Sequence, residues 1–329
     1  MPISQLQSRS ISVVVPTFND VGRIGDALAS IVNQTMPPAE IVVSDDGSDD
    51  GTEQFVSDFA AQHADEIVVR YVRLSSRSGD AAARNAGIAA AREEWIASCD
   101  SDDVWAPTKL ERQIAFVNDW NGSQRIALLG THGYNMNDAK KVISPAIMGP
   151  TTEDDYNTLR RDGGLFHVIH SSVLFCRADF VALGGYSTTE YGPASEFDLY
   201  RRIAERGVVI SVPEPLVYYR KRGGSMQLAL FWERHESVAR MAENERRRAA
   251  GEAPISRDEF AASQASAPVR QRIRHRKQMW GMYYYRSGAA HFVNRQRLRG
   301  GFELALASLM DGARLRSGVR NAVQARHSR

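Results

Sequence analysis

Apolar and polar residues follow each other in blocks over the first 120 residues, and each block predicts one strand or one helix. Residues 11–16, ISVVVP, form a continuous β-branched run, which is typical of a strand buried on both faces. In the next segment Ile24, Leu28 and Ile31 recur at helical spacing. The same alternation continues with predicted strands at 40–48, 67–74 and 95–99 and predicted helices around 55–60, 79–94 and 107–120. This order predicts a parallel sheet covered by helices on both faces.

The alternation becomes less regular after residue 125. Residues 135–164 are polar and rich in glycine, proline and aspartate, so they predict a long functional loop region. From residue 226 onward the pattern is helical, with a polar break near 250–268. The predicted elements between these segments are short strands at 125–130 and 168–177, a helix at 196–207 closed by glycine, and one or two strands at 208–225.

The overall composition is that of an ordinary globular protein, with 43% apolar and 24% charged residues among 329. The first ten residues lack the apolar core of a signal peptide, and no stretch approaches the roughly 18 apolar residues of a membrane span. Cys99 and Cys176 are too few for a disulfide framework or a cysteine-based zinc site. We therefore expect a reducing, cytoplasmic location.

Charge is distributed unevenly along the chain. Residues 1–226 carry 21 basic and 30 acidic side chains, whereas residues 227–329 carry 20 basic and 9 acidic side chains. This asymmetry predicts two functional parts, at 1–226 and 227–329. Two interpretations of the arginine-rich second part stay open. It is either a helical subdomain that packs on the rest of the protein or on a second copy, or a surface that docks on anionic lipid. A nucleic-acid role is not expected, because the first part is acidic and no recognised module is present.

Polar residues cluster where the predicted strands end. In open α/β sheets, ligands bind at the carboxyl ends of the parallel strands, so these residues are expected to converge on one crevice. The three clusters are Pro16, Thr17, Phe18, Asn19 and Asp20 after the first strand, Asp45, Asp46, Gly47 and Ser48 after the second, and Asp100, Ser101, Asp102 and Asp103 after the fourth.

Asp100 and Asp102 are two residues apart, so in an extended segment they would project from the same face. With no lysine or arginine beside them in the sequence, the two carboxylates predict a bound cation, and hard oxygen ligands suit Mg²⁺ or Mn²⁺. The alternative is a solvated acidic turn that caps the helix beginning near Pro107. The position of this pair after a strand favours the metal site.

Other candidate residues each have a functional and a structural interpretation. Asp45 is either a turn residue or an acceptor for a base or sugar hydroxyl. Arg84, in an alanine-rich helix, is either a surface residue or a partner of phosphate or carboxylate. Glu196 and Asp198 open a helix, where carboxylates meet the helix dipole favourably, and either could be a general base.

Seven motifs occur together in an order and spacing that resemble the family 2 glycosyltransferases, across roughly residues 10–226. They are VVVPTFND, VSDDGSDDGT, AAARNAGIAAA, CDSDDVWAPTKLERQ, LGGYS, SEFDLYRRIAERG and YYRKRGGS. The resemblance implies a GT-A fold: an α/β, Rossmann-like mixed sheet with helices on both faces. The resemblance also implies that the catalytic part, 1–226, contains a nucleotide half at residues 10–125 and an acceptor half at residues 126–226. A helical C-terminal region at residues 227–329 follows.

The resemblance also implies an inverting, metal-dependent transfer of a sugar from a nucleotide-diphosphate sugar to a hydroxyl. By that analogy Asp45 accepts a hydrogen bond from a pyrimidine ring, so the expected nucleotide is UDP or dTDP. Arg84 is expected to lie near the base or the diphosphate. Asp100 contacts the ribose or the metal shell, Asp102 ligates Mn²⁺ or Mg²⁺, and Glu196 is the catalytic base, with Asp198 as its rival. Pro16, Thr17 and Asn19 are expected to line the nucleotide pocket.

This chain departs from the family pattern in three respects, one of which is that the tail after residue 226 carries no diagnostic motif. The usual Glu-Asp pair reads Ser195-Glu196, and a histidine that is common near the end of the last motif is replaced by Arg222. A guanidinium cannot ligate a metal but can clamp a diphosphate, so weaker metal affinity is expected.

The expected acceptor is a glycan or a lipid-linked glycan of the bacterial cell surface, reached from the cytoplasm or the inner face of the membrane. Residues 135–164 and 187–195 are expected to choose it. The alternatives are a sugar-nucleotide nucleotidyltransferase and a non-catalytic protein that keeps the fold. The absence of a glycine-rich basic loop after the first strand argues against the former, and Asp45, Asp102 and Glu196 argue against the latter.

Overall fold

The protein is described here by a computed structural model that covers residues 6–222 and 226–310. Its strands are β1 (Ile11–Thr17), β2 (Glu40–Asp45), β3 (Val68–Arg73), β4 (Trp95–Ser98), β5 (Val104–Trp105), β6 (Ile126–Met136), β7 (Val142–Ala146), β8 (Leu174–Cys176) and β9 (Val208–Arg220). Its α-helices are α1 (Val21–Val32), α2 (Thr52–Gln62), α3 (Asp80–Ala90), α4 (Lys109–Asn118), α5 (Glu153–Arg161), α6 (Arg177–Ala182), α7 (Ser195–Ile203), α8 (Met226–Ala229), α9 (Phe231–Ala249), α10 (Arg257–Ser266), α11 (Val269–Val293) and α12 (Arg297–Met310).

These strands form one mixed sheet in the order β3-β2-β1-β4-β8-β6-β9-β5, and β7 pairs with β6. The four strands of the first hundred residues are parallel to one another, as the alternating pattern predicted. Strand β8 then lies antiparallel to both β4 and β6. The predicted mixed α/β fold is therefore confirmed, and the antiparallel β8 brings the segment just before it against the end of β4.

The central strands are apolar because they are buried on both faces. All seven residues of β1 and all six of β2 are buried. Helix α3 packs closely on this pair because it presents a glycine to it. A Cβ atom added at Gly87 would lie 2.6 Å from Val14 Cγ1 and 2.8 Å from Ser44 Oγ. The small residues of the third motif therefore let α3 approach the sheet.

Gly87→Ala is expected to lower the free energy of unfolding by about 1–3 kcal/mol, because the added methyl group overpacks this contact. Gly22→Ala in α1 is the matched control, since nothing lies within 4 Å of its added Cβ. The control should be neutral or stabilising by up to about 1 kcal/mol, from helix propensity. Urea unfolding of both variants checks this, and equal effects would contradict the proposed packing.

Lys109, at the start of α4, is fully buried although it carries an amino group. Its Nζ donates to Gln113 Oε1 at 2.7 Å and lies 3.7 Å from the centre of the Trp105 ring. Burial lowers the pKa of Lys109 from its usual 10.5 to about 7. At a pH between about 7 and 10.5, Lys109 is therefore protonated in the unfolded chain and neutral in the folded chain.

Lys109 is therefore expected to make stability rise with pH between about 7 and 9, by about 1.4 kcal/mol per pH unit near the middle of that range, whereas above pH 9 the raised pKa values of Cys99 and the buried tyrosines oppose the rise. Lys109→Met should remove this slope, whatever its effect on absolute stability. Lys141→Met, on an exposed side chain, is the control. Urea unfolding at several pH values gives the slopes, and a slope that survives in Lys109→Met would overturn the assignment.

Several element predictions were wrong in detail. The predicted loop at 135–164 contains β7 and α5. A polar sequence forms α5 because Thr152 Oγ1 accepts a hydrogen bond from Asp155 N, while acidic residues occupy the first turn and Arg160 and Arg161 the last. The predicted polar break at 250–268 likewise contains α10, which a capping box of Ser256 and Glu259 begins.

By internal packing the chain forms two units. Of the described residues, the first comprises 6–134 and 146–219, and the second comprises 135–145, 220–222 and 226–310. The first contains the main apolar core around the sheet. In the second, Phe231 and Trp232 of α9 contact Trp280 and Tyr283 of α11 through ring pairs with centroids 4.8–6.3 Å apart. These four aromatic residues therefore join α9 to α11 within the second unit, and the predicted functional boundary at 226 stays a prediction.

No helix in the described ranges is both long enough and apolar enough to cross a membrane. Cys99 and Cys176 are both free thiols.

Candidate functional site

The predicted site residues that follow β1, β2 and β4 lie at one edge of the sheet, because these three strands are parallel neighbours. The register pairs Thr17 with Asp45, and Asp46 N donates to Thr17 O at 2.9 Å. On the other side of β1, Cys99 N donates to Val14 O at 3.1 Å. The carboxyl ends of the three strands therefore form one polar edge, as the sequence predicted.

Asp45 is fully buried at this edge, and protein groups engage both of its oxygens. Ser48 Oγ donates to Asp45 Oδ1 at 2.5 Å, and the Tyr71 hydroxyl donates a short hydrogen bond to Oδ2. Burial and the Asp45 carboxylate raise the pKa of Tyr71. Asp45 thus anchors the loop after β2, and its predicted contact with a pyrimidine stays a prediction.

Asp46 ties the end of β2 to the loop before α3. Its carboxylate accepts hydrogen bonds from Ser78 N at 2.6 Å and from Gly79 N at 2.9 Å. In the same loop, the Arg77 guanidinium lies 4.3 Å from the centre of the Phe18 ring. Phe18 follows β1, so these contacts hold the two loops beside the predicted nucleotide pocket together. Sequence reasoning passed over Asp46 in favour of Asp45.

Arg84 is the centre of the charged cluster. Its guanidinium donates to Asp80 at 2.8 Å, to Ser98 Oγ at 3.1 Å and to Asp100 at 2.8 Å. Burial alone would lower the pKa of Arg84, but the charges of Asp80 and Asp100 outweigh it and raise that pKa. Arg84 is 6% exposed. It therefore points inward, and the interpretation as a surface arginine was wrong.

This pairing also corrects the account of the acidic cluster after β4. The sequence shows no basic residue beside Asp100, but α3 brings Arg84 to it. The expectation that Asp100 and Asp102 share a face of an extended segment was wrong as well. Strand β4 ends at Ser98, and Asp103 N donates to Asp100 O at 3.1 Å, so residues 100–103 form a turn.

The described residues do not form a preassembled metal cage, since no group of three or more His, Cys, Asp or Glu side chains among them could hold an ion. Asp100 is engaged by Arg84. A metal at the turn would take the half-buried Asp102 as its protein ligand and other oxygens from water and substrate phosphates, a pattern typical of Mg²⁺. The residues present thus fit a metal that is shared with a diphosphate.

Three residues that sequence reasoning missed lie behind this cluster. Each ring nitrogen of His170 contacts a tyrosine hydroxyl: Nε2 lies 3.2 Å from Tyr186 Oη, and Nδ1 forms a short hydrogen bond with Tyr200 Oη. The next residue, Ser171, accepts a hydrogen bond from Asp100 N on its hydroxyl at 2.9 Å. No spacing in the sequence brings residues 170, 186 and 200 together, because their proximity depends on β8 lying beside β4.

Both tyrosines are affected by the same acidic groups. Burial raises the pKa of Tyr186 and of Tyr200, and the charges of Glu196 and Asp100 raise each pKa further, while that of Arg84 opposes the rise. Glu196 and Asp100 therefore act on the same two phenols. The predicted base and the predicted diphosphate-binding cluster lie in one electrostatic environment.

Asp198, the rival base, is buried between two arginines. Its carboxylate lies 3.1 Å from Arg201 and 2.7 Å from Arg202. The Arg202 guanidinium also donates to Leu183 O and Gly185 O, each at 2.6 Å. Asp198 thus fixes the Gly-Gly turn that precedes Tyr186, whereas Glu196 is half-buried on the same helix.

The predicted site residues that remain differ in burial and in hydrogen bonding. They are Pro16, Thr17, Asn19 and Arg222. Pro16 and Thr17 are buried in β1, and the Thr17 hydroxyl has no hydrogen-bond partner in the described part of the chain. Asn19 has a positive φ of 49°, and its side chain accepts a hydrogen bond from Asp49 N at 2.9 Å. Arg222 follows β9 in the second unit, so its contact with a diphosphate stays a prediction.

An open groove of about 600 Å³ lies elsewhere on the first unit, near the end of α4 and the start of α5. Trp120, Glu153 and Glu214 are among its lining residues, and none of the predicted site residues lines it. We assign the site to the polar edge of the sheet, since the charged and titratable groups converge there.

Comparison with known proteins gives an independent assignment. The model of the family "Glycosyl transferase family 2" matches residues 12–183, which is more than half of the chain. The matched segment contains Asp45, Arg84, Asp100 and Asp102, whereas Glu196 lies beyond it.

Two curated relatives are similar over about a third of the chain. TuaG of Bacillus subtilis, whose name places it in teichuronic acid biosynthesis, is 36% identical over 107 residues, 32% of this chain and 41% of its own length. WfgD of Escherichia coli, named as a UDP-Glc:α-D-GlcNAc-diphosphoundecaprenol β-1,3-glucosyltransferase, is 33% identical over 107 residues, 32% of this chain and 40% of its own length. The chain thus matches less than half the length of these relatives.

Solved structures show the same fold at low sequence identity. Staphylococcus aureus TarS in complex with UDP has a TM-score of 0.54 and 16% identity, with 93% of this chain and 91% of that chain covered. The mannosyltransferase PcManGT of Pyrobaculum calidifontis, in complex with GDP-Man and Mn²⁺, has a TM-score of 0.53 and 20% identity, with 97% and 81% covered. The chain therefore has a glycosyltransferase fold of the GT-A type and belongs to glycosyl transferase family 2.

Proposed function

We propose that this protein transfers a sugar from a nucleotide-diphosphate sugar to a hydroxyl acceptor with inversion at the anomeric carbon. One observation carries the proposal: helix α7, which carries Glu196, meets the Arg84–Asp100 pair at the carboxyl ends of the parallel strands, through the contact of Tyr200 with His170 and the hydrogen bond from Asp100 N to Ser171. This arrangement provides a base and a diphosphate-binding cluster in one place. Membership of a glycosyltransferase family supports it.

Glu196 acts as the general base in this proposal. The acceptor oxygen forms a bond to the anomeric carbon as the bond from that carbon to the donor phosphate oxygen breaks. The acceptor proton passes to Glu196, and the electron pair leaves with the nucleoside diphosphate. One displacement suffices, so no covalent nucleophile is needed. Asp198 is a positioning residue, because its two arginine partners already balance its charge.

Asp102 would hold the donor diphosphate through a divalent metal ion, because carboxylates and phosphates repel each other directly. Mn²⁺ or Mg²⁺ bound at Asp102 would neutralise negative charge on the leaving group. The Arg84–Asp100 pair fixes the turn that carries Asp102, because Arg84 is itself held by Asp80 and Ser98. The Mn²⁺ complex of a protein with the same fold supports a metal-bound donor.

The nucleoside lies over the ends of β1 and β2, against Pro16, Thr17, Asn19 and Asp45. The unpartnered Thr17 hydroxyl supports this placement, since a buried hydroxyl gains stability from a ligand partner. The two solved structures differ in nucleotide, since TarS binds UDP and PcManGT binds GDP-Man, so the support for a UDP- or dTDP-sugar comes from the UDP-Glc in the name of WfgD.

The acceptor is a lipid-linked glycan of the bacterial cell surface, used at the inner face of the cell membrane. The name of WfgD includes a diphosphoundecaprenol acceptor, and that of TuaG places it in synthesis of a cell-wall polymer. Residues 135–164 and 187–195 select the acceptor.

A thermal-shift screen tests the donor assignment. The protein is heated with UDP-, dTDP- and GDP-sugars, each with and without Mn²⁺. We expect one pyrimidine donor class to raise the melting temperature in a metal-dependent way, since a ligand that binds only the folded chain stabilises it. No shift with any donor would contradict the proposed function.

Asp102→Asn is expected to abolish the Mn²⁺-dependent part of this shift, because an amide is a much poorer metal ligand than a carboxylate. Asp65→Asn, on an exposed turn residue, is the matched control and should keep the full shift. A metal-dependent shift that persists in Asp102→Asn would place the metal ligand elsewhere.

A further inference from the structure

We propose that the second unit contains a docking surface for anionic lipid, made by the outward face of α12 and the exposed first half of α11. This docking face comprises the apolar side chains Leu298, Phe302 and Leu309 and the basic side chains Arg270 and Arg274. It binds lipid independently of the proposed sugar transfer.

The packing of α12 on α11 determines which side of α12 faces outward. The two helices touch through glycines: a Cβ added at Gly300 would lie 2.6 Å from Phe292 N and 2.7 Å from Gly288 O. Beside this contact, His291 Nδ1 lies 2.9 Å from the Glu303 carboxylate. Gly300 and Glu303 therefore face α11, together with the buried Ala307.

The opposite side of α12 is apolar and exposed. Leu298 is 93% exposed, Phe302 67% and Leu309 83%. At about 100° per residue these three side chains lie within roughly 40° of one another around the helix, on the side away from Gly300 and Ala307. A contiguous apolar stripe of this kind marks an interaction surface more often than isolated exposed leucines do.

The surrounding sequence is strongly basic. Residues 260–302 contain nine lysine and arginine residues and no aspartate or glutamate. In the structure every residue from 269 to 278 is exposed, including Val269 at 64% and Ile273 at 52%. The first half of α11 therefore presents arginines interleaved with apolar side chains to solvent. Anionic headgroups attract such a segment, and apolar side chains enter the boundary of the acyl region.

The positive charge and the apolar side chains of the docking face together favour an anionic membrane over a second copy of the chain or a nucleic acid. A second copy docked face to face would bring two basic surfaces together at the cost of like-charge repulsion. Nucleic acid would satisfy the arginines, but a phosphate backbone offers no apolar partner for Leu298, Phe302 and Leu309. An anionic membrane matches both features, and membrane binding is strong only when apolar insertion and basic charge act together.

Co-sedimentation of the full chain with vesicles tests the proposal. We expect binding to phosphatidylcholine vesicles that contain about 30% phosphatidylglycerol, and at least about tenfold weaker binding to pure phosphatidylcholine. Added salt should weaken the former, since it screens the arginines. Equal binding to both vesicle types, or binding to neither, would overturn the proposal.

Two variants separate the apolar and basic contributions. Leu298→Ser/Phe302→Ser and Arg270→Gln/Arg274→Gln should each weaken binding by about tenfold or more. Val181→Ser and Arg92→Gln, both on exposed side chains of the first unit, are the matched controls and should bind as the wild type does. All substituted side chains are exposed, so melting temperatures should be unchanged.

Light scattering tests whether the docking face instead joins two copies of the chain. If the wild type is a dimer that Leu298→Ser/Phe302→Ser converts to a monomer, and neither binds vesicles, the face joins two copies and the lipid proposal is wrong. Unchanged vesicle binding in both variants would also overturn it. A stable monomer whose vesicle binding each variant weakens supports it.

Discussion

Glu196→Gln is expected to lower the rate of sugar transfer by about 10²- to 10⁴-fold, the usual contribution of a general base. The amide keeps the size and hydrogen-bonding capacity of the side chain but cannot take the acceptor proton at neutral pH. Donor binding should change little, because the nucleotide and the diphosphate are held by other residues. Single-turnover transfer and donor titration by calorimetry measure the two effects separately.

Glu205→Gln is the matched control for this substitution, since Glu205 is exposed just beyond α7. It should leave both transfer and donor binding unchanged. If Glu196→Gln transfers sugar at the wild-type rate, the base lies elsewhere and Asp198 is the next residue to test. A variant that loses donor binding as well as transfer would instead assign Glu196 to the donor pocket.

Arg84→Met is expected to lower the free energy of unfolding by about 3 kcal/mol, the low end of the cost of breaking a buried ion pair. The low end applies because the side chains of Asp80 and Asp100 keep 31% and 24% exposure. The substitution leaves these two carboxylates without their shared cation. It should also weaken donor binding, because the turn that carries Asp102 loses its support.

Two further variants show whether the loss of stability in Arg84→Met comes from breaking the ion pair. Arg92→Met removes an exposed arginine and should be near neutral. The double variant Arg84→Met/Asp100→Asn removes one uncompensated charge and should recover about 1 kcal/mol or more relative to Arg84→Met. Urea unfolding measures all of them. Additive effects of the two substitutions would contradict a direct Arg84–Asp100 coupling.

The alternation of the first hundred residues was sufficient to predict the parallel part of the fold. Short β-branched runs such as 11–16 are typical of buried strands, and the helices between them fit right-handed crossovers. The antiparallel part could not be predicted in the same way. Strand β8 has only three residues, and its position between β4 and β6 depends on tertiary pairing.

The candidate site could likewise be predicted from the sequence only in part. The carboxylates after β2 and β4 were found because they follow strands that periodicity predicts. The partner of Asp100 was missed because Arg84 is 16 residues away and reaches it only when α3 packs on the sheet. His170, Tyr186 and Tyr200 carry no motif that links them, so their cluster is visible only in the folded chain.

Fold and function constrain each other most clearly at α3. Gly87 lets this helix approach β1 and β2, and one turn earlier the same helix carries Arg84 to the end of β4. A larger residue at 87 would move the helix away from the sheet and Arg84 away from Asp100. The alanine-rich composition of the helix is thus a requirement of the site as well as of the core.

The anomeric configuration of the released sugar tests the central claim most directly. The protein is incubated with an α-linked nucleotide sugar that stabilises it, with water as the acceptor, and the first product is followed by proton NMR. Direct displacement assisted by Glu196 predicts the β-anomer as the first product and its loss in Glu196→Gln. Release of the α-anomer first, or unchanged release by Glu196→Gln, would contradict the account.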